Sequence, residues 1–90
     1  MTTLAYVHDE GHAWIRVPLE WYPNAVDYGT GFGYIAPGVV YLEEDCEARM
    51  FLAEWDDGEL LLTPVQGSPR HLPRLPCSHK HEHCDHPDKR

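Results

Sequence analysis

Positive charge is scarce in this chain: seven Lys and Arg stand against fifteen Asp and Glu in 90 residues, a net charge of −8. Binding nucleic acid needs Lys and Arg to displace counterions from phosphate, so direct DNA or RNA binding is not expected. No apolar run approaches the roughly 20 residues that span a bilayer, and a membrane protein is not expected. The first eight residues lack the basic region and long apolar stretch of a signal peptide. Cysteine is limited to Cys46, Cys77 and Cys84, an odd number that suits no closed disulfide framework. A reducing cytoplasm is the expected compartment. Also missing are a Ser-centred elbow, a paired-carboxylate cleft and a Cys-His couple. A non-enzyme is therefore expected, with a metal-dependent hydrolase as the nearest enzyme reading.

What charge there is falls unevenly. Residues 1–65 hold twelve acidic side chains against Arg16 and Arg49, whereas residues 66–90 hold three acidic and five basic ones. A chain this short buries little surface, so a metal, a partner or some other second stabiliser is expected. The break in composition divides the chain into a compact domain over 1–65 and a Pro-, His- and Cys-rich tail over 66–90.

Within the domain the pattern is that of an α+β fold. Residues 4–8 and 12–17 are β-prone runs joined by Asp9-Glu10-Gly11, a hairpin signature. Residues 18–24 are too short and Pro-limited for more than a short helix or loop. Residues 28–35 alternate aromatic or β-branched residues with Gly29, Gly31 and Gly33, and Ala36-Pro37-Gly38 turns the chain into residues 39–42, a second hairpin. The glycine run resembles a phosphate loop only superficially, because no helix follows it. Its bare sheet face instead predicts a bulky group, Trp14 or Trp21, lying against the backbone.

Glu43, Glu44, Asp45 and Glu47 open a helix whose apolar stripe is Ala48, Phe51, Leu52 and Trp55, widened by Cys46, Met50 and Ala53. Asp56-Asp57-Gly58 ends it, and residues 59–63 make a last strand. The expected architecture is a small antiparallel sheet of two hairpins plus that strand, with one main helix packed on it and an irregular C-terminal tail.

The densest chemistry lies in the tail, where Cys77, His79, His81, His83, Cys84 and His86 place six metal-ligating side chains in ten positions. Imidazole and thiolate together select zinc and its neighbours, and metal binding can order a segment that has no core of its own. His8 and His12 flank the first hairpin loop beside Asp9. They are expected as cross-strand neighbours on one face, either satisfying each other's hydrogen bonds or sharing a metal with the tail.

Two stretches carry a resemblance. His8-Asp9-Glu10-Gly11-His12-Ala13-Trp14 and Tyr41-Leu42-Glu43-Glu44-Asp45-Cys46-Glu47-Ala48 resemble paired motifs of a set of small uncharacterised bacteriophage and prophage proteins. The resemblance spans about residues 6–65 and implies an origin, with no catalytic residues. Charge, size and that origin together lead to a small acidic binding protein that sequesters or inhibits a host defence or nucleic-acid-handling protein. Glu43, Glu44, Glu47, Glu54, Asp56 and Asp57 are the expected contact residues, with Trp21, Tyr22, Tyr28 and Tyr34 as aromatic anchors. The alternative is a zinc-binding metalloprotein with a structural or regulatory metal in the tail.

Overall fold

The computed structural model describes residues 2–56 and 58–78. His79, His81, His83, Cys84, His86 and Asp57 lie outside the described residues.

The alternating runs of the first hairpin become β1 (Thr2–His8) and β2 (Ala13–Pro18), antiparallel with Tyr6 opposite Ile15 and Val7 opposite Trp14. Asp9 closes the loop as an Asx turn: its Oδ1 accepts the N–H groups of Gly11 at 3.0 Å and His12 at 2.9 Å. A 3-10 helix over Pro23–Tyr28 follows. The second hairpin is β3 (Tyr34–Ala36) and β4 (Val39–Glu43), turned at Gly38 with φ +79°.

Helix α1 (Glu47–Trp55) then leads to β5 (Leu60–Gln66), and the sheet order is β3-β4-β2-β1-β5. The fold is α+β with a five-stranded mixed sheet. The last strand does not extend the antiparallel pattern, because β5 pairs parallel with β1. That follows from the connection: α1 carries the chain back across the sheet to its far edge, so β5 starts at the same end as β1. Thr2 N–H donates to Glu59 O and Gly67 N–H to His8 O, so odd-numbered residues of β5 face β1. Pro64 therefore sits where its missing N–H would point to the open edge, the place a strand tolerates proline.

Strand alternation sorts the side chains onto two faces. Leu4, Ile15, Val17, Val40 and Leu42 meet Ala48, Met50 and Phe51 of α1 in one buried core with Ala25 and Tyr28. Trp14 and Tyr34 are buried on the opposite face, ring centroids 6.0 Å apart and edge to face.

The compact unit extends past residue 65. Residues 67–78 form an irregular strap: Ile35 N–H donates to Pro73 O, Leu75 N–H to Gly33 O and Ser78 N–H to Gly29 O, each at 2.9 Å. These bonds cover the free edge of β3, and Leu75 enters the main core at 1% exposure. Backbone hydrogen bonds and one deeply buried leucine order this stretch, although it shows no periodicity of its own.

Candidate functional site

Two regions gather chemistry among the described residues: a cleft on the Trp14 face and the exposed end of α1.

The cleft has a volume of about 490 Å3 and is lined by His12, Trp14, Phe32, Tyr34, Glu43, Asp45, Cys46, Arg70 and Arg74. The strap supplies its cations. Arg70 lies 5.3 Å from the Trp14 ring centroid, donates through Nε to Asp9 Oδ2 at 2.9 Å, and donates to His12 Nδ1 at 2.7 Å. The Arg70 hydrogen bond, aided by the loop N–H groups, holds the Asp9 carboxyl well below the usual carboxylate range. Arg74 lies 4.8 Å from the Tyr34 ring centroid and donates to Phe32 O at 3.1 Å. Guanidinium over an aromatic face is a favourable pairing, and it fixes both cations at the rim.

Glu43 is the cross-strand neighbour of Trp14 on the same face of the sheet. Burial pushes its carboxyl up from the ordinary value, even though Oε1 accepts the N–H groups of Asp45 at 3.1 Å and Cys46 at 3.4 Å. The indole of Trp14 is buried, and its Nε1 has no hydrogen-bond partner among the described residues.

The acidic residues expected at a contact surface divide sharply. Glu47 is completely buried and Glu43 nearly so, which removes both from any exposed surface. Glu47 Oε2 accepts Thr30 N–H at 2.6 Å, Thr30 Oγ1–H at 3.0 Å and Gly33 N–H at 3.2 Å, while Oε1 accepts Glu43 N–H at 2.8 Å. The glycine-rich run is thus a loop wrapped around an internal carboxylate, and the strand begins only at Tyr34. A Cβ on Gly33 would collide with Glu47 Oε1 and Tyr41 O, and one on Gly29 with Pro76 O. These groups, rather than Trp14 or Trp21, occupy the space beside the glycines. A sequence signal for Glu47 did exist. Counting back four from Phe51 lands on Glu47, inside the apolar stripe, where a solvated carboxylate does not belong.

Glu44 is half-buried and accepts the Tyr6 hydroxyl at 2.8 Å. Glu54 and Asp56 are exposed at the end of α1. There Tyr28 donates its hydroxyl to Glu54 and accepts Trp55 Nε1–H at 2.9 Å. Burial, reinforced by Glu54, pushes the Tyr28 hydroxyl up to about 12. Tyr28 and Tyr34 are buried and Tyr22 half-buried, so they are not the exposed anchors. That character belongs to Trp21, 56% exposed, and Trp55, 40% exposed. Trp55 marks the end of the stripe, and Ala53 lies outside it on the exposed side. Cys46 is half-buried at the helix start and lines the cleft.

The two hairpin histidines do not converge. His8 pairs with Ala13 and places its ring 6.5 Å from Tyr6, on the α1 face, whereas His12 stacks 6.1 Å from Trp14, on the cleft face. A one-residue offset at the loop separates them, because neighbouring strand positions point to opposite faces. Cys77 is half-buried in the strap. Among the described residues, no group of three or more His, Cys, Asp or Glu side chains is arranged to hold a metal.

Comparison of the chain with protein-family models, with curated proteins and with solved structures found no match.

Proposed function

We propose that this protein is a non-catalytic binding module that engages a basic surface on another protein through the C-terminal end of α1. The observation that carries the reading is a pair of exposed carboxylates beside exposed tryptophan. Glu54 and Asp56 stand at the helix end, where the dipole is already negative, and the last turn has no basic residue. Acidic groups there cost a helix about 0.3–1 kcal/mol each, offset in part because Glu54 accepts the Tyr28 hydroxyl and Asp56 Oδ1 accepts Gly58 N–H at 2.9 Å. Trp55 and Trp21 supply large amphipathic rings of the kind that anchor interfaces. Both belong to one region, since Trp55 packs edge-on to Tyr22, with ring centroids 5.8 Å apart, and Trp21 precedes Tyr22 in the chain.

A basic groove such as that of a nucleic-acid-handling enzyme is the complementary shape of charge, and long-range attraction would speed encounter with it. The resemblance of the hairpin and helix-start motifs to phage proteins makes a host defence protein the class of target. Glu44 and Asp45, at the other end of α1, would extend the field without forming the contact.

The test is capture from host lysate, followed by association kinetics with the recovered partner at two salt concentrations. Glu54→Lys with Asp56→Lys should slow association and flatten its salt dependence, and Trp55→Ala should speed dissociation. A partner bound equally by wild type and all three substitutions ends the proposal.

A further inference from the structure

We infer that the partner residue received at the end of α1 is an arginine, held by the Trp55 indole and the Glu54 carboxylate together. The inference rests on the reading that this end of the helix meets a basic protein surface, and it names the side chain that does so.

One hydroxyl fixes the two groups side by side. Trp55 Nε1–H donates to the Tyr28 oxygen at 2.9 Å, and that same oxygen donates its proton to Glu54 Oε1 at 2.5 Å. Tyr28 is buried, which anchors the shared oxygen. The only donor of the indole is thereby engaged, so what Trp55 still presents, at 40% exposure, is ring surface. Glu54 keeps Oε2, which receives no donor among the described residues.

A ring beside a carboxylate is matched by a cation with a flat face for the ring and N–H donors in the plane of that face for the carboxylate. Guanidinium supplies both at once, and its faces are weakly hydrated. The ammonium of lysine is a compact, strongly hydrated charge, so it meets the carboxylate without covering the ring. The chain builds the same arrangement within itself. Arg70 lies 5.3 Å from the Trp14 ring centroid and donates through Nε to Asp9 Oδ2 at 2.9 Å, which brings ring, guanidinium and carboxylate together. At the end of α1 the chain supplies the ring and the carboxylate, and the last turn contains no basic residue. The third member comes from the partner. Asp56, exposed just beyond, adds attraction for a positive charge, and Trp21, 56% exposed, extends the apolar surface of the same region.

The test uses two N-acetylated, C-amidated heptapeptides of equal charge, one alternating glycine with arginine and one alternating glycine with lysine. Affinity is taken from the saturable shifts of the uniformly 15N-labelled full chain, and the Trp55 indole N–H resonance, identified by its absence in Trp55→Ala, places the contact. The arginine peptide should bind about tenfold more tightly than the lysine peptide and shift the Trp55 resonance. Trp55→Ala should bring the arginine peptide down to the affinity of the lysine peptide. Glu54→Gln, which keeps an acceptor for Tyr28, should weaken both. Equal binding of the two peptides to wild type overturns the inference and leaves the basic-surface reading standing. So does an arginine preference that survives Trp55→Ala, or arginine binding undiminished by Glu54→Gln. No saturable shift with either peptide at millimolar concentration also overturns it, while the lysate capture reads the wider proposal by itself.

Discussion

The carboxylate of Glu47 receives both the backbone N–H and the hydroxyl of Thr30, at 2.6 and 3.0 Å, with no solvent access. Together with the N–H groups of Gly33 and Glu43, this makes Glu47 the tie between the glycine-rich loop and the β4–α1 junction. Its removal strands several buried donors at once, each worth about 1–3 kcal/mol when left unpaired. Glu47→Ala should therefore destabilise by about 3 kcal/mol or more in urea unfolding, a large share of the stability of a small domain. Glu47→Gln keeps the shape but turns one acceptor into a donor facing backbone N–H, and should cost somewhat less. A loss below about 1 kcal/mol for Glu47→Ala would show that water replaces the carboxylate without penalty.

The contribution of the buried carboxyls to stability should also fall as pH rises above 4.5. Burial raises the carboxyls of Glu47 and Glu43 above their ordinary value of 4.5. Between 4.5 and the raised values these two groups bind more protons in the folded chain than in the unfolded one, so their contribution is fully present below 4.5 and is lost as pH climbs through that window. Asp9 acts with the opposite sign: its carboxyl is lowered from 3.8, so its contribution is present above 3.8 and is lost as pH falls. Its exposure keeps that contribution small. Melting temperatures across this range, for wild type and Glu47→Gln, check the assignment. The decline should be clearly shallower in the variant, and parallel curves would exclude Glu47 as its source.

The two large aromatics of the helix stripe should behave differently. Phe51 is fully buried, with Tyr22 and Tyr28 edge-on to its ring at 5.2 and 5.8 Å. Phe51→Ala should cost about 3–5 kcal/mol and leave little folded protein. Trp55 is 40% exposed, so Trp55→Ala should cost markedly less and yield a soluble, cooperatively melting chain. Equal losses would mean that the Trp55 contact with Tyr28 is a structural support of the core and a poor candidate for partner contact.

Truncation tests whether the tail binds zinc. Truncation after Ser78 retains Leu75 and the Ser78–Gly29 hydrogen bond, whereas a cut at Leu75 would remove the latter. The untagged full chain should bind about one zinc ion, released on acidification because the ligands must be deprotonated. The chain ending at Ser78 should melt normally and bind none. Undiminished zinc content after truncation would place the metal elsewhere.

Local rules determined much of this protein. Asp9 and Gly11 set the first hairpin, Gly38 sets the second, and the Ala48 and Phe51 stripe sets the helix face, each through turn chemistry or periodicity that acts within a few residues. Those elements were legible for that reason, whereas the glycine-rich run expected as a strand is a loop up to Tyr34. Tertiary structure decided what those rules leave open. Whether a carboxylate at a helix start faces water or the core depends on donors seventeen and fourteen residues away, at Thr30 and Gly33. The parallel pairing of β5 depends on where α1 crosses the sheet, and the order of residues 67–78 on an edge and a core built by earlier strands. The cleft belongs to the same class. Arg70 and Arg74 look like ordinary surface charges along the chain, and they line the cleft only because the strap lays them over Trp14 and Tyr34. Contacts between residues distant in sequence are chosen by the free energy of the assembled whole, and no window of the chain contains that information.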